Sequence, residues 1–116
     1  MMEMGEGLRV AFPLHSATGT ADSATVLMEL DPNGVLPDHR DSAEELLLVL
    51  EASVEATVGL ETATLGEGAI AVVPSMVRHG FRNVGLGRAR VLGFFSSATV
   101  VSTFVEPMGP TGARCS

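Results

Sequence analysis

Turn signals recur along this chain at intervals of roughly 8–12 residues, and the short stretches between them read as strands. Residues 8–12 alternate and stop at Pro13. Residues 19–22 are small and polar. Residues 24–30 form an apolar stretch that ends at Asp31-Pro32-Asn33-Gly34, the strongest turn signal in the chain. Residues 46–50 are apolar without a break, residues 53–58 alternate again, and residues 61–65 make another short strand before Gly66-Glu67-Gly68. Residues 69–73 are halted by Pro74, residues 79–84 end at Gly85-Leu86-Gly87, and strands follow over 88–95 and 99–105. That pattern gives about nine short strands and no amphipathic helix, and the many Val and Thr residues favour pleated structure. An all-β sandwich or barrel is expected.

A chain of 116 residues suits one domain with one core, and 46% hydrophobic residues suffice to build it. The formal net charge of −7 excludes a nucleic-acid or anionic-membrane surface as the principal partner, and the absence of Tyr and Trp removes a stacking platform for bases. No stretch approaches the ~20 apolar residues of a membrane span. Residues 1–7 carry Glu3 and Glu6 and lack a signal-peptide pattern, so a cytoplasmic location is expected. Residues 1–7 and 107–116 read as loose tails, and Cys115, the single cysteine, is given no functional role.

The run from 46 to 50 carries a second message. A strand with one wet face should alternate, and this one is apolar on both faces. A second subunit could cover the outer face, with Val91, Phe94, Val100, Val101 and Phe104 contributing, which predicts a homodimer.

Chemistry concentrates in two stretches, Pro37-Asp38-His39-Arg40-Asp41-Ser42-Ala43-Glu44-Glu45 and residues 68–83. Residues two apart on a strand share a face. His39 and Asp41 therefore point together, and a bend at Ser42-Ala43 would turn the Glu45 carboxylate back toward them. His79, Phe81 and Asn83 share a face, with Arg78 and Arg82 opposite. Two imidazoles and two carboxylates inside a barrel need partners. A divalent cation would satisfy all four. Ordinary hydrogen bonding is the competing explanation, because two histidines far apart in sequence are not a motif by themselves; His15 is read in that ordinary way.

Taken together, these stretches resemble the motifs of a small single-domain cupin. Gly34, His39, Asp41 and Glu45 stand at the positions of the first motif, with Asp41 in place of its second histidine, Ala52 in place of its closing glycine, and the gap from Gly34 to His39 one residue short. Gly68, Pro74, His79 and Asn83 keep the spacing of the second motif, with Met76 in place of a glycine. The resemblance spans residues 34–83 and implies a double-stranded β-helix, or jelly-roll, barrel. It implies an iron, manganese, zinc or nickel ion held by His39, Glu45 and His79, with Asp41 as fourth ligand or its place left to water. His39, Asp41 and His79 also match the two-His, one-carboxylate triad of related oxygenases; no role as a 2-oxoglutarate grip is assigned to Arg88 or Arg90.

The function implied is a metal-dependent enzyme acting on a small, largely apolar organic molecule. The reaction types in view are those of dioxygenases, isomerases, decarboxylases, lyases and cyclases. The expected pocket is lined by Leu47, Val49, Val72, Phe81 and Asn83, with Asp41 or Glu45 as general base if it is free of the ion. The alternative is a non-catalytic or metal-free barrel that binds or senses a small ligand. A purely structural barrel would fill the positions of His39, Glu45 and His79 more cheaply with apolar residues.

Overall fold

The computed structural model describes residues 2–3, 7–14, 22–97 and 99–104, with residues 2–3 and 12–14 described by backbone alone. His15, Cys115 and the tail from 107 onward lie outside the described residues. The strands are β1 (Met2–Glu3), β2 (Leu8–Leu14), β3 (Ala24–Leu30), β4 (Val35–Asp41), β5 (Glu45–Glu51), β6 (Val54–Val58), β7 (Glu61–Leu65), β8 (Ile70–Val73), β9 (His79–Arg82), β10 (Ala89–Phe95) and β11 (Ser102–Phe104). There is no helix among the described residues.

Two antiparallel sheets face each other. One runs β1-β2-β3-β10-β5-β8 and the other β11-β4-β9-β6-β7. This is the all-β, jelly-roll arrangement that the sequence predicts. The core between the sheets comes from alternate residues, including Leu30 on β3, Val49 on β5, Val54 on β6 and Val91 on β10. Strand boundaries at 24–30 and 61–65 match the sequence pattern. The first long strand differs: it continues through Pro13 to Leu14, with a register shift between Ala11 and Leu14. Proline is tolerated in a strand where the ladder is interrupted. Met2–Glu3, in the stretch expected to be loose, pair with β2.

The run 46–50 alternates in space although not in chemistry. Leu47 and Val49 are buried in the core, while Leu46 and Leu50 are exposed on the outer face of the six-stranded sheet. Phe94 pairs with Leu46 and shares that face. Val91 and Phe104, also expected on this surface, are buried instead. Val91 lies opposite Val49 and therefore points inward, and Phe104, in the five-stranded sheet, packs on the ring of His39 on the neighbouring strand. Val100 packs against the core, and Val101 is exposed beside β11.

Two turns bring the candidate chemistry together. Gly34 N donates to Asp31 O at 2.7 Å, closing the Pro32-Asn33 turn with Asn33 at φ 67°. Pro74 to Val77 form a second turn, in which Val77 N donates to Pro74 O at 3.2 Å and Met76 has φ 64°. This is type II geometry, which needs positive φ at its third residue. Ala52 is likewise at φ 63°. Ala52 and Met76 occupy the two motif-glycine positions that this chain fills with another residue, so the backbone keeps the glycine conformation with L side chains. A left-handed conformation costs such a residue about 1–2 kcal/mol, partly offset by the greater unfolded-state entropy of glycine, about 0.5–1 kcal/mol. Met76 is more than half exposed and loses little burial on truncation. Met76→Gly is therefore expected to raise unfolding stability by about 0.5–1 kcal/mol, read as a higher urea midpoint at unchanged slope. Val77→Gly, at a position without positive φ, should lower it.

Candidate metal centre

Strand β4 presents His39 and Asp41 to the interior, as period-2 alternation requires, and Arg40 is exposed. Ser42 and Ala43 bend the chain, and β5 opens with Glu45, which points back inward. Across the sheet, β9 opens with His79, whose Cα is the ladder partner of His39. All four side chains are buried, with His79 only 1% exposed. The rings of His39 and His79 lie 4.2 Å apart between centroids.

The bend is tied to the turn before β9. Met76 N donates to Asp41 O at 2.8 Å, and Ser75 Oγ donates to Ser42 O at 2.8 Å. On the outer side, Arg78 Nε donates to Asp38 Oδ2 at 2.9 Å. These contacts hold the second stretch against the first.

Hydrogen bonds fix both imidazoles. Nδ1 of His39 lies 2.8 Å from Pro37 O, and Nδ1 of His79 lies 2.9 Å from Val77 O. A carbonyl can only accept, so each Nδ1 carries a proton and each Nε2 faces the centre. Nε2 of His39 lies 3.4 Å from Asp41 Oδ2, and Nε2 of His79 lies 3.1 Å from the same oxygen and 3.3 Å from Glu45 Oε1. Asp41 Oδ2 and His79 Nε2 are buried without a hydrogen-bond partner. One ligand atom from each of His39, Asp41 and His79 falls within 4.8 Å of the others, so the three could hold a metal ion. The donor set fits a divalent transition metal: imidazole suits Zn, Cu, Fe and Ni, and two imidazoles with one carboxylate form the facial triad of non-haem Fe(II) sites.

The cupin-domain family model matches residues 26–95, well over half of the chain. The chain belongs to the cupin family. Solved cupin structures share its fold. An oxalate oxidase in complex with glycolate superimposes with a TM-score of 0.82 at 22% identity, over 92% of this chain and 60% of that one. Bacillus subtilis oxalate decarboxylase, described with Mn(II) centres, gives 0.83 at 19% identity over 91% of this chain and 31% of that one. An RmlC-like cupin from Shewanella frigidimarina gives 0.72 at 20% identity over 83% and 81%. These identities establish the fold alone. The present cupin spans 60% of the oxalate oxidase chain. No curated protein matches the sequence.

The structure gathers His39, Asp41, Glu45 and His79 as the sequence implied. Leu47, Val49 and Phe81 are interior, where they pack into the core. Two of the expected pocket residues are elsewhere. Val72 is 54% exposed, because it pairs with outward-facing Leu46 while Val73 takes the inward position beside Glu45. Asn83 is buried but fully used as a structural knot. Its Nδ2 donates to Leu30 O at 3.0 Å and Gly87 O at 2.7 Å, and its Oδ1 accepts from Gly85 N at 3.0 Å.

Three contributors were not singled out from the sequence for this site. Ser102 Oγ donates to Asp41 Oδ1 at 2.5 Å. Phe104 stacks on His39 with centroids 5.0 Å apart. Gly93 leaves room for the Glu45 carboxylate: a Cβ there would overlap Glu45 Oε2 and approach Val26 Cγ1 to 2.8 Å. A glycine within an apolar strand does signal a close approach, which makes Gly93 legible in retrospect. Ser102 and Phe104 carry no local signal, since their partners are distant in sequence.

Charge is unevenly shared. Burial works to raise the Asp41 carboxyl, but the adjacent His39 and His79 rings and the hydrogen bond from Ser102 outweigh it and hold Asp41 well below the usual carboxylate range. Burial chiefly pushes Glu45 up. Burial works to lower His79, but Asp41, Glu45 and the Val77 carbonyl outweigh it and raise His79 to about 10. Without a metal, a proton on His79 Nε2 therefore supplies the positive charge between the carboxylates. A histidine raised from 6.5 to about 10 contributes stability that is complete below pH 6.5 and lost as pH rises through 10. The metal-free protein is expected to lose stability across that window in denaturant titrations. A divalent ion that replaces the proton should flatten the dependence, and His79→Gln should remove it.

Proposed function

We propose that this cupin is a metal-dependent enzyme acting on a small organic molecule, with the ion held by His39, Asp41 and His79 and with Glu45 beside it. The reading rests above all on Asp41 Oδ2 and His79 Nε2, buried with no hydrogen-bond partner and 3.1 Å apart, where a divalent ion can take the place of the proton that otherwise lies between them. A divalent ion there would supply Lewis-acid or redox chemistry toward the substrate. Glycolate, formate and Mn(II) in the descriptions of structural relatives are consistent with that chemistry. In this chain His39 and His79 present Nε2, Asp41 presents Oδ2, and their backbone tethers keep those atoms oriented. Glu45, with its carboxyl raised by burial, is the group placed to take or give a proton at Oε1. Leu47, Val49 and Phe81 keep the interior apolar and favour a substrate with a largely apolar body.

Elemental mass spectrometry of the purified protein tests the site. Near-stoichiometric iron, manganese, zinc or nickel is expected in the wild type, with at least tenfold less in His39→Ala and Asp41→Ala. A wild type that remains metal-free after reconstitution with each of the four ions would overturn the reading. Metal without turnover on small organic acids and aromatic substrates would leave a binding or sensor cupin.

The outer face of the six-stranded sheet supports a homodimer. Leu46, Leu48, Ile70, Val72, Leu92 and Phe94 form an apolar surface. Along one end of it the cross-strand row Arg9, Glu29, Arg90 and Glu51 alternates in sign. About a two-fold axis along the strands, the row meets its own reverse, so that Arg9 faces Glu51 and Glu29 faces Arg90 of a second copy. Such self-complementarity is what an isologous interface requires. Sedimentation equilibrium at micromolar concentration should give a dimer, and Leu46→Asp a monomer with an unchanged circular dichroism spectrum. A monomeric wild type would remove the proposal.

A further inference from the structure

Each of the three side chains in the candidate triad has one polar atom aimed at the centre and one aimed away. For the imidazoles the outward atom is Nδ1, and each is met by the backbone carbonyl two residues earlier, Pro37 O for His39 and Val77 O for His79. That support is local, from the strand itself for His39 and from the preceding turn for His79. Asp41, which stands where the family motif has a second histidine, has no such local tether. Its carboxylate sits on a short side chain whose terminal torsion is broad and nearly two-fold. Unrestrained, either oxygen could turn to the centre, or both could share it.

The restraint comes from the last described strand. Ser102 is the ladder partner of Asp41 on β11, and its hydroxyl donates to Asp41 Oδ1 at 2.5 Å. That leaves Oδ2 as the oxygen facing both Nε2 atoms, 3.4 Å from His39 and 3.1 Å from His79. Two bonds set the register of β11 just before this contact: Ser42 N donates to Val101 O at 2.9 Å, and Val101 N donates to Ser42 Oγ at 2.8 Å. Two residues further on, Phe104 is the ladder partner of His39 and stacks on its ring at an interplanar angle of 28°. One short strand thus touches two of the three candidate ligands, one by a hydrogen bond and one by a ring.

We propose that Ser102 is a positioning residue of the metal site: it commits Asp41 to ligation through the single oxygen Oδ2 and so compensates for a carboxylate where the family motif has an imidazole. The proposal rests on the reading of His39, Asp41 and His79 as ligands. Its physical basis is the general one that outer hydrogen bonds orient metal-bound groups, and their loss typically lowers affinity by about 10–100-fold. Threonine keeps the hydroxyl; alanine and cysteine do not provide an equivalent donor.

Co(II) is the probe, because its visible absorption reports coordination while a competing chelator reports affinity. Wild type, Ser102→Ala, Ser102→Thr and His39→Ala are titrated in the same buffer, with thermal melts of the metal-free proteins alongside. The expected result is a Co(II) affinity about 10–100-fold weaker in Ser102→Ala with a changed absorption envelope, and both restored in Ser102→Thr. Should Ser102→Ala not fold, Ser102→Cys, nearly isosteric and a weak donor, reads the same loss. Wild-type affinity and spectrum in a folded Ser102→Ala or Ser102→Cys would overturn the positioning role while leaving the metal site intact. Absence of Co(II) binding in the wild type, or binding undiminished in His39→Ala, would instead overturn the metal-site reading and the positioning role with it.

Discussion

Two imidazole nitrogens and a carboxylate oxygen face one another in the interior of this barrel, and all three are acceptors unless a proton or a cation lies between them. Such an arrangement is costly in an apolar surround. The fold nevertheless enforces it from several directions. Antiparallel pairing sets His39 opposite His79, alternation along β4 adds Asp41 two residues on, and the bend at Ser42 and Ala43 returns Glu45. The turn at Pro74 to Val77 is bonded to the same bend. A positive charge at the centre relieves the conflict, and a proton on His79 does so in the absence of a metal.

The supporting structure divides into local and distant parts. Local tethers hold the two histidines through carbonyls two residues earlier, one in β4 and one in the turn before β9. Distant ones hold the carboxylates: Ser102 approaches Asp41 from a residue 61 positions away, and the missing side chain of Gly93 makes space for Glu45. Conformational strain sits close by. Met76 adopts a left-handed backbone in the turn whose amide bonds Asp41 O, where glycine would be relaxed. Retaining the turn despite that strain keeps the approach to His79 in one geometry.

The outer face of the six-stranded sheet illustrates how one sequence pattern can carry two meanings. Residues 46–50 are uniformly apolar, yet the pleat sends Leu47 and Val49 into the core and Leu46 and Leu50 outward. The inward set is explained within one chain. The outward set, continued by Ile70, Val72 and Phe94, is the surface on which we propose that a second copy docks.

Turn residues and apolar alternation made the all-β architecture legible, because both are local properties of the backbone. The spacing of His39, Asp41, Glu45 and His79 made the candidate site legible, because strand period and two glycine-bearing motifs place residues predictably within each stretch. Face assignment was harder. Val72 and Asn83 read as pocket residues, but pairing with Leu46 turns Val72 outward, and backbone partners at Leu30, Gly85 and Gly87 occupy Asn83 completely. Val91 and Phe104 read as surface and are buried. The sequence by itself determined most of the strands, the class of fold and the four residues that converge. Only the tertiary structure decided which oxygen of Asp41 faces the histidines, what covers His39 and what makes room for Glu45. Those outcomes depend on contacts between neighbouring strands whose residues lie dozens of positions apart, and no period in the chain encodes them.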